Sequence, residues 1–414
     1  MGKRIGFITH SVSGTDGVSL EIVKWHTVLG RMGHDCYFFG SDFYESITHD
    51  HEYVCSEAGY KTNGVAKILK ESFLTDTRSE ELENSIQDNK NKIKEEMYKF
   101  VDLYNIEILI IENAMAIPVN IPLGLAVKEL LEETKMPSIA HNHDFYWERD
   151  KYTSINCVQD YLDEAFPVTG LDNLKHVVIN TKGYNHLKDK LGQESDIVFN
   201  VGDFQREPFD TPLDKISEIR RDAGIANDEF FFLHPVRIIR RKNIEASIDF
   251  LCLWNKLHPG KKSKLVLSHP EMEDHYFKFL KNYAAAKDVE ISFIGFKVSY
   301  GKYNLEDVYN ASDFVFFTST YEGFGNALIE AVYFKKPVLV YKYEVFVEDI
   351  EPTGAEFITM DSSGVTEETV KQVDDLLHNP EEMDRIVNKN FDIFAKNFSY
   401  RYLEKVLTEV LDKL

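Results

Sequence analysis

The sequence predicts an α/β protein of two doubly wound parallel-sheet domains that face each other across a central cleft. Three observations carry that expectation. With 414 residues the chain is long enough for two cores. Short unbroken apolar runs, such as FVFF at 314–317, alternate with stretches of helical periodicity, the pattern of βαβ units whose strands are covered on both faces. Glycine-containing turns join strand to helix in both halves, at Gly17 and at Gly323 and Gly325.

Composition narrows the class. The apolar share of 43% is that of a globular protein, and a net charge of −22 argues against nucleic acid or an anionic membrane as the main partner. Cys36, Cys55, Cys157 and Cys252 form no C-x-x-C pair, so neither a zinc site nor a disulfide framework is indicated, and a reducing compartment fits. The opening MGKRIGFITHSV reads as a first strand, its apolar run being too short for a signal peptide. No apolar stretch is long enough to span a bilayer, and a cytoplasmic location is the expectation.

In chain order, residues 4–9 form a strand that feeds the loop 10–17, followed by a helix from about Val18 and a strand at 36–39. Residues 61–102 are polar and charged with sparse apolar positions, which reads as one or two surface helices making a solvated insertion. Their lysines are matched by acids, so a basic membrane-binding helix is not supported. Residues 106–111 form a buried strand with Glu112 and Asn113 at its carboxyl end, and residues 137–140 form the next.

That strand runs into HNHDFYWERDKY at 141–152, the densest polar and aromatic cluster in the chain. His141 and His143 alone offer two metal ligands. A third at zinc spacing is missing, so no metal is expected. A histidine at the carboxyl end of a strand in such a sheet faces the ligand edge rather than the core. Arg149 and Lys151 are suited to a carboxylate or phosphate on an acceptor, or equally to capping a helix surface. Further strands are expected at 176–180 and 196–200.

The second half opens with a strand at 230–235 and the basic run VRIIRRKN, in which at least one of Arg240 and Arg241 is expected to be solvated. Strands at 264–267 and 291–294 lead to the strand at 314–317. The turn after it holds Glu322, Gly323, Phe324 and Gly325, and a helix begins near Asn326 and ends before Pro337. Glycines allow close approach to a ligand, and free N–H groups at the helix start favour an anion such as a diphosphate. Glu322 and Glu330 cannot attract phosphate and are suited to accept from hydroxyl groups. A ligand with a diphosphate in the middle and polyols at both ends is a nucleotide-sugar. The bland alternative is a helix whose acids complement its dipole.

The run EGFGNALIE, with seven residues between Glu322 and Glu330, resembles the E-x7-E signature of retaining glycosyltransferases of the GT-B fold, family four in particular. The resemblance implies that Glu322 contacts the donor sugar and that Glu330 holds the ribose hydroxyls. Arg237 and Lys242 match the family's Arg-x4-Lys, the pair that grips the diphosphate without a metal. His143, in preference to His141, takes the family's position near the sixth carbon of the donor sugar. Gly295 and Phe296 match the segment that edges the nucleobase. Gly17 matches the second of the paired glycines in the first loop, while Asp16 replaces the first and is a candidate for the acceptor. Glu112, Asn113, His141, Tyr146 and Arg149 are the other acceptor candidates. This cluster resembles glycosyltransferases that build small compatible solutes of the mannosylglucosylglycerate kind.

The implied organisation is an acceptor-side domain to about residue 205, a nucleotide-sugar-binding domain at 206–395, and a final helix at 396–414 packing back toward the first domain. The implied activity moves a hexose from a GDP-mannose or UDP-glucose type donor to a small sugar or glycoside, with no cofactor. Polysaccharide or lipid-linked acceptors, and a sugar-nucleotide epimerase of the same fold, are the alternatives.

Overall fold

The computed structural model describes residues 2–12, 16–43, 51–226, 228–260 and 263–414. The chain forms two compact units, one running to Val201 and completed by Tyr400–Leu414, the other Gly202–Ser399. Ser13, Gly14 and Thr15 of the first expected turn lie outside the described residues.

The first unit is built on seven parallel strands: β1 (Arg4–Ile8), β2 (Asp35–Gly40), β3 (Glu52–Val54), β4 (Ile108–Glu112), β5 (Ser138–Asn142), β6 (Leu174–Val178) and β7 (Ser195–Ile197). Their order is β3-β2-β1-β4-β5-β6-β7. The winding direction reverses between β1 and β4, and a doubly wound sheet binds ligands beyond its strand ends at that point. Every residue of β4 and β5 is buried, as central strands covered on both faces require.

The helices of this unit include α1 (Gly17–Arg31), α2 (Asn63–Ser72), α3 (Glu80–Tyr104) and α4 (Ile121–Thr134), with shorter turns between β5 and β6 and a further helix, Thr181–Leu191, between β6 and β7. The expected strand at 106–111 starts two residues late. Asn105, at φ +50°, ends α3, and Ile106 N–H closes that turn on the Val101 carbonyl. Strand β3 was not anticipated; three residues are too few to show a period.

The reading of 61–102 as a solvated insertion is corrected. Leu82, Ile86, Ile93, Met97 and Phe100 of α3 are buried in the same core as Leu109 and Ile111 of β4 and Leu130 of α4. They are sparse, yet they fall on one helical face, which is enough to seat the helix. Lys90 and Lys94 then bridge to Glu129 on α4, with Lys94 also meeting Glu133 at 2.9 Å.

The helix Tyr400–Leu411 belongs to the first unit. Leu403, Leu407 and Val410 join Trp25, Val28 and Leu29 of α1 in one buried cluster, the i, i+4, i+7 spacing of a single apolar stripe.

The second unit has six parallel strands: β8 (Phe230–His234), β9 (Ser263–Leu267), β10 (Ile291–Phe293), β11 (Phe314–Phe317), β12 (Val338–Tyr341) and β13 (Ile358–Met360). Their order is β10-β9-β8-β11-β12-β13, reversing between β8 and β11. Phe232 stacks on Phe316 and Phe250 on Trp254, the two pairs meeting edge to face at Phe250 and Phe316 in its core. A helix at Pro380–Asn397, not anticipated from the sequence, buries Val387, Asn390 and Phe394 along a face that Met383, Ile386 and Phe391 extend. Among the described residues no helix is long and apolar enough to cross a membrane.

Candidate active site

The loops after β8 and β11 meet at the reversal of the second sheet. A single turn at Arg240–Lys242 follows β8, and Asn243 at φ +50° turns the chain into the helix Ile244–Leu257. Thr318 Oγ1 donates to the Asn243 carbonyl at 2.9 Å and Thr320 N–H to the Arg241 carbonyl at 3.0 Å, so one side-chain and one backbone hydrogen bond tie the two loops. Side chains on one loop are thereby held in register with those on the other.

Glu322 sits between them, almost fully buried. Lys242 donates to its Oε1, Arg241 Nη1 donates to Oε2 at 2.8 Å, and the same guanidinium reaches the Tyr321 carbonyl at 2.7 Å. Burial alone would raise the Glu322 carboxyl, but Lys242 and Arg241 hold it down at about 2. Burial lowers the Lys242 ammonium, with Glu322 opposing and Arg241 adding to the fall. His234 at the end of β8 is buried, and the cost of charging it there, beside Lys242, lowers it to about 3; it is a neutral ring against Ser247.

Of the two cations expected to act together, only Lys242 lies on Glu322. Arg237 points to Glu271 at 3.6 Å and is half-exposed. Arg240 is the solvated member of the run, its guanidinium over the rings of Tyr276 and Phe279.

The helix Asn326–Tyr333 begins directly after Gly325, whose φ of +125° is a glycine conformation. A Cβ there would stand 2.7 Å from the Tyr343 hydroxyl and 3.2 Å from the Phe317 ring. Tyr343 in turn donates to the Phe324 carbonyl at 2.5 Å. The Phe324 side chain, expected at the donor, is buried against Phe398 at 5.2 Å, so it anchors the loop and leaves ligand contact to the backbone. Glu330 Oε2 accepts from Tyr309 at 3.1 Å. Beyond β10, Gly295 is packed so closely on the His269 carbonyl that a Cβ would lie 2.6 Å from it, while Phe296 is half-exposed.

The first unit holds a second polar cluster at its own reversal. Glu112 ends β4 and pairs in register with His141 on β5. His141 Nδ1 lies 3.0 Å and His143 Nε2 3.2 Å from Glu112 Oε2. The reading that the histidines lack a third ligating partner is corrected: the three groups lie within 4.8 Å of one another. Strand pairing supplies the third member from 29 residues away, where no local spacing shows it. Glu112 has no exposed surface and both its oxygens face imidazole nitrogens, so direct contact with an acceptor, expected from the sequence, does not suit its placement.

Asn113, at φ +55°, accepts from the His143 N–H at 3.0 Å and donates to Asp144 at 2.9 Å. Arg149 closes on the other oxygen of Asp144, and Tyr146 is half-buried against the first core. Asp16 accepts from the N–H groups of Val18 and Ser19, both at 3.1 Å, so it serves as the N-cap of α1. Gly17 opens that helix, with nothing within 4 Å of where its Cβ would stand.

Two comparisons in sequence and one in structure bear on this arrangement. Residues 215–392 match the model of the glycosyl transferases group 1 family. A mannosylglucosylglycerate synthase of Petrotoga mobilis is 31% identical over 99% of this chain and 96% of its own length. The chain belongs to the group 1 glycosyl transferases. A mannosylglucosylglycerate synthase of Thermotoga maritima is 30% identical over 99% of this transferase and 100% of itself. Sucrose-phosphate synthase of Thermosynechococcus elongatus superposes with a TM-score of 0.69 over 99% of this chain and 98% of that one, at 13% identity. The fold of the transferase is accordingly GT-B.

Three residues of this glycosyl transferase escaped sequence reasoning. Arg241 was one of two arginines of which at least one was expected in solvent, and only the loop–loop ties reveal its pairing with Glu322. Trp25 stacks on His141 at 4.1 Å, although its place in the apolar stripe of α1 reads as core. Glu21 is fully buried on the same helix, paired with Lys24 at 2.5 Å. A glutamate among the apolar positions of α1 was the available signal.

Proposed function

We propose that this protein is a retaining hexosyltransferase that moves a hexose from a nucleoside-diphosphate sugar, of the GDP-mannose or UDP-glucose type, to a hydroxyl of a small glycoside. The observation that carries the reading is the buried Glu322 carboxylate shared by Lys242 and Arg241, one residue before the Gly323-to-Gly325 turn and the helix start.

In this reading the donor diphosphate competes with Glu322 for its cations. Lys242, Arg241, Arg237 and the N–H groups at Asn326 take the phosphate oxygens, and Glu322 is released to accept from sugar hydroxyls. As the bond from the anomeric carbon to phosphate oxygen breaks, charge accumulates on the leaving group, and fixed cations stabilise it most at that stage. The acceptor oxygen bonds the same face of that carbon, and its proton passes to the departing phosphate. Glu322 steadies the oxocarbenium-like carbon. Glu330 takes the ribose hydroxyls, the half-exposed Phe296 ring and Gly295 edge the base, and His143 meets a sugar hydroxyl. The charge is met by side chains, and no divalent ion is required.

The relatives that match nearly end to end are named for mannosylglucosylglycerate, a glycoside of glycerate. On that ground the acceptor is a glucosyl-glycerate type anion, to which Arg149 and Lys151 offer positive charge beside His143.

The test is a donor panel with and without glucosylglycerate, in the presence and absence of chelator, with mass spectrometry of nucleoside diphosphate and product. Transfer that persists in chelator and yields the anomeric configuration of the donor supports the proposal. An epimer formed from donor alone, or transfer only with added metal, overturns it.

A further inference from the structure

Glu112 occupies an unusual position: a carboxylate with no exposed surface, placed between two imidazoles rather than against a lysine or arginine. Its strand register with His141 brings Oε1 and Oε2 to 3.2 and 3.0 Å from His141 Nδ1, and Oε2 to 3.2 Å from His143 Nε2. The backbone is clamped by its neighbour. Asn113 N–H donates to the His141 carbonyl at 2.9 Å, while its side-chain oxygen takes the His143 N–H. Trp25 covers the His141 ring at 4.1 Å, and the two imidazoles lie 4.3 Å apart.

Two chemistries suit a carboxylate with two histidines, a bound cation or a pair of charge-assisted hydrogen bonds. The far nitrogen of His141 separates them. A metal on Nδ1 would put the proton on Nε2, and metal-bound histidines donate that second N–H to an acceptor. His141 Nε2 is buried with no partner among the described residues. A proton on Nδ1, donated to Glu112, leaves at Nε2 only a lone pair, which costs less to bury than a stranded N–H.

We propose that Glu112 is a positioning residue that takes one N–H from each imidazole and thereby fixes the ring of His143, leaving His143 Nδ1 as the nitrogen that meets a sugar hydroxyl. The clause about the hydroxyl rests on the transferase reading above; the orientation of the rings does not. Electrostatics agree with it. Burial opposes charge on all three groups, yet the histidines hold the Glu112 carboxyl at about 2. Glu112, with Glu21 of α1 and Asp144, raises His143, while burial prevails at His141 and lowers it. Charge is thus favoured on Glu112 and His143 and disfavoured on His141. His141 acts as a spacer, and His143, the most exposed of the three, faces the ligand edge.

The experiment pairs kinetics with spectroscopy on the full chain. In 15N-histidine-labelled protein, NMR is expected to show His141 protonated on Nδ1 and His143 protonated on Nε2, the nitrogens that face Glu112. Glu112→Gln is expected to lower the pH at which His143 titrates and to lower kcat for sugar transfer roughly 10- to 100-fold, with donor KM changed less than about threefold. Asn113→Gly, which keeps the positive φ, provides a folded variant should Glu112→Gln fail to fold, and is expected to show a smaller loss of the same kind. Unchanged kcat in either folded variant, or His141 protonated on Nε2 in the wild type, overturns the assignment. So does one zinc per chain that survives dialysis and is absent from Glu112→Gln. If the wild type shows the expected protonation but transfers no sugar, the positioning role stands and the transferase reading falls.

Discussion

Replacing Glu322 by Gln is expected to tighten nucleoside diphosphate binding while suppressing transfer. The carboxylate occupies the cations that the diphosphate needs. At 2.8 Å, an effective dielectric of ~20 gives roughly 6 kcal/mol of gross attraction between Glu322 and Arg241 alone. Arg241 is half-exposed, and a phosphate must shed water to replace the carboxylate, so about 1–2 kcal/mol is expected to survive as net gain. That corresponds to roughly 5- to 30-fold tighter binding. Held at about 2, Glu322 is ionised throughout the neutral range, so the gain is not an effect of assay pH. Titration calorimetry of GDP and UDP against both proteins, at fixed salt, measures it. Transfer falls at the same time because the carboxylate that steadies the reacting carbon is gone. Weaker or unchanged diphosphate affinity in Glu322→Gln would refute the idea that Lys242 and Arg241 are shared between Glu322 and the donor.

Three further outcomes are expected. Arg237→Gln should lower transfer ~100- to 1,000-fold while leaving the melting temperature within about 2 °C, since its contact with Glu271 is long and half-exposed; calorimetry beside single-turnover kinetics checks both halves. Gly325→Ala should cost about 1–3 kcal/mol, because a side chain at φ +125° is strained and its Cβ meets Tyr343; adding Tyr343→Phe should restore space but not conformation, so denaturant unfolding should show only part of the loss recovered. Acid should weaken the first unit through Glu112. Its folded value of about 2 lies below the unfolded 4.5, so this stabilisation is complete above about 4.5 and disappears as pH falls toward 2. The amount is roughly 3 kcal/mol, and the raised His143 belongs to the same interaction, its share being lost instead as pH rises above 6.5 through its folded value. Hydrogen exchange of the β4 and β5 amides against pH, flattened in Glu112→Gln, is the measurement.

Much of the fold was legible because the strands are short apolar runs in a polar chain. FVFF at 314–317 falls where its apolar run places it, and the Glu322-to-Glu330 spacing marks the ligand edge of the second unit. Strand β3 and the helix Pro380–Asn397 were not anticipated, the first for lack of length and the second because its apolar positions, Met383, Ile386, Val387, Phe391 and Phe394, are interleaved with charged ones. The helix α3 was misread for a related reason. Five buried positions among 25 residues look sparse in a line and become a continuous stripe only when wound.

Sequence alone determined the α/β class and which loops would carry the charged and glycine residues, because those follow from local period and residue chemistry. Tertiary structure decided the pairings. Lys242 meets Glu322 across 80 residues and Glu112 meets His141 across 29, through the register of parallel strands that no local pattern encodes. The choice of Arg241 over Arg237 as the second cation on Glu322 likewise depends on the hydrogen bonds from Thr318 and Thr320 that join the loops after β8 and β11, and a string of residues carries no record of which of its loops will lie side by side.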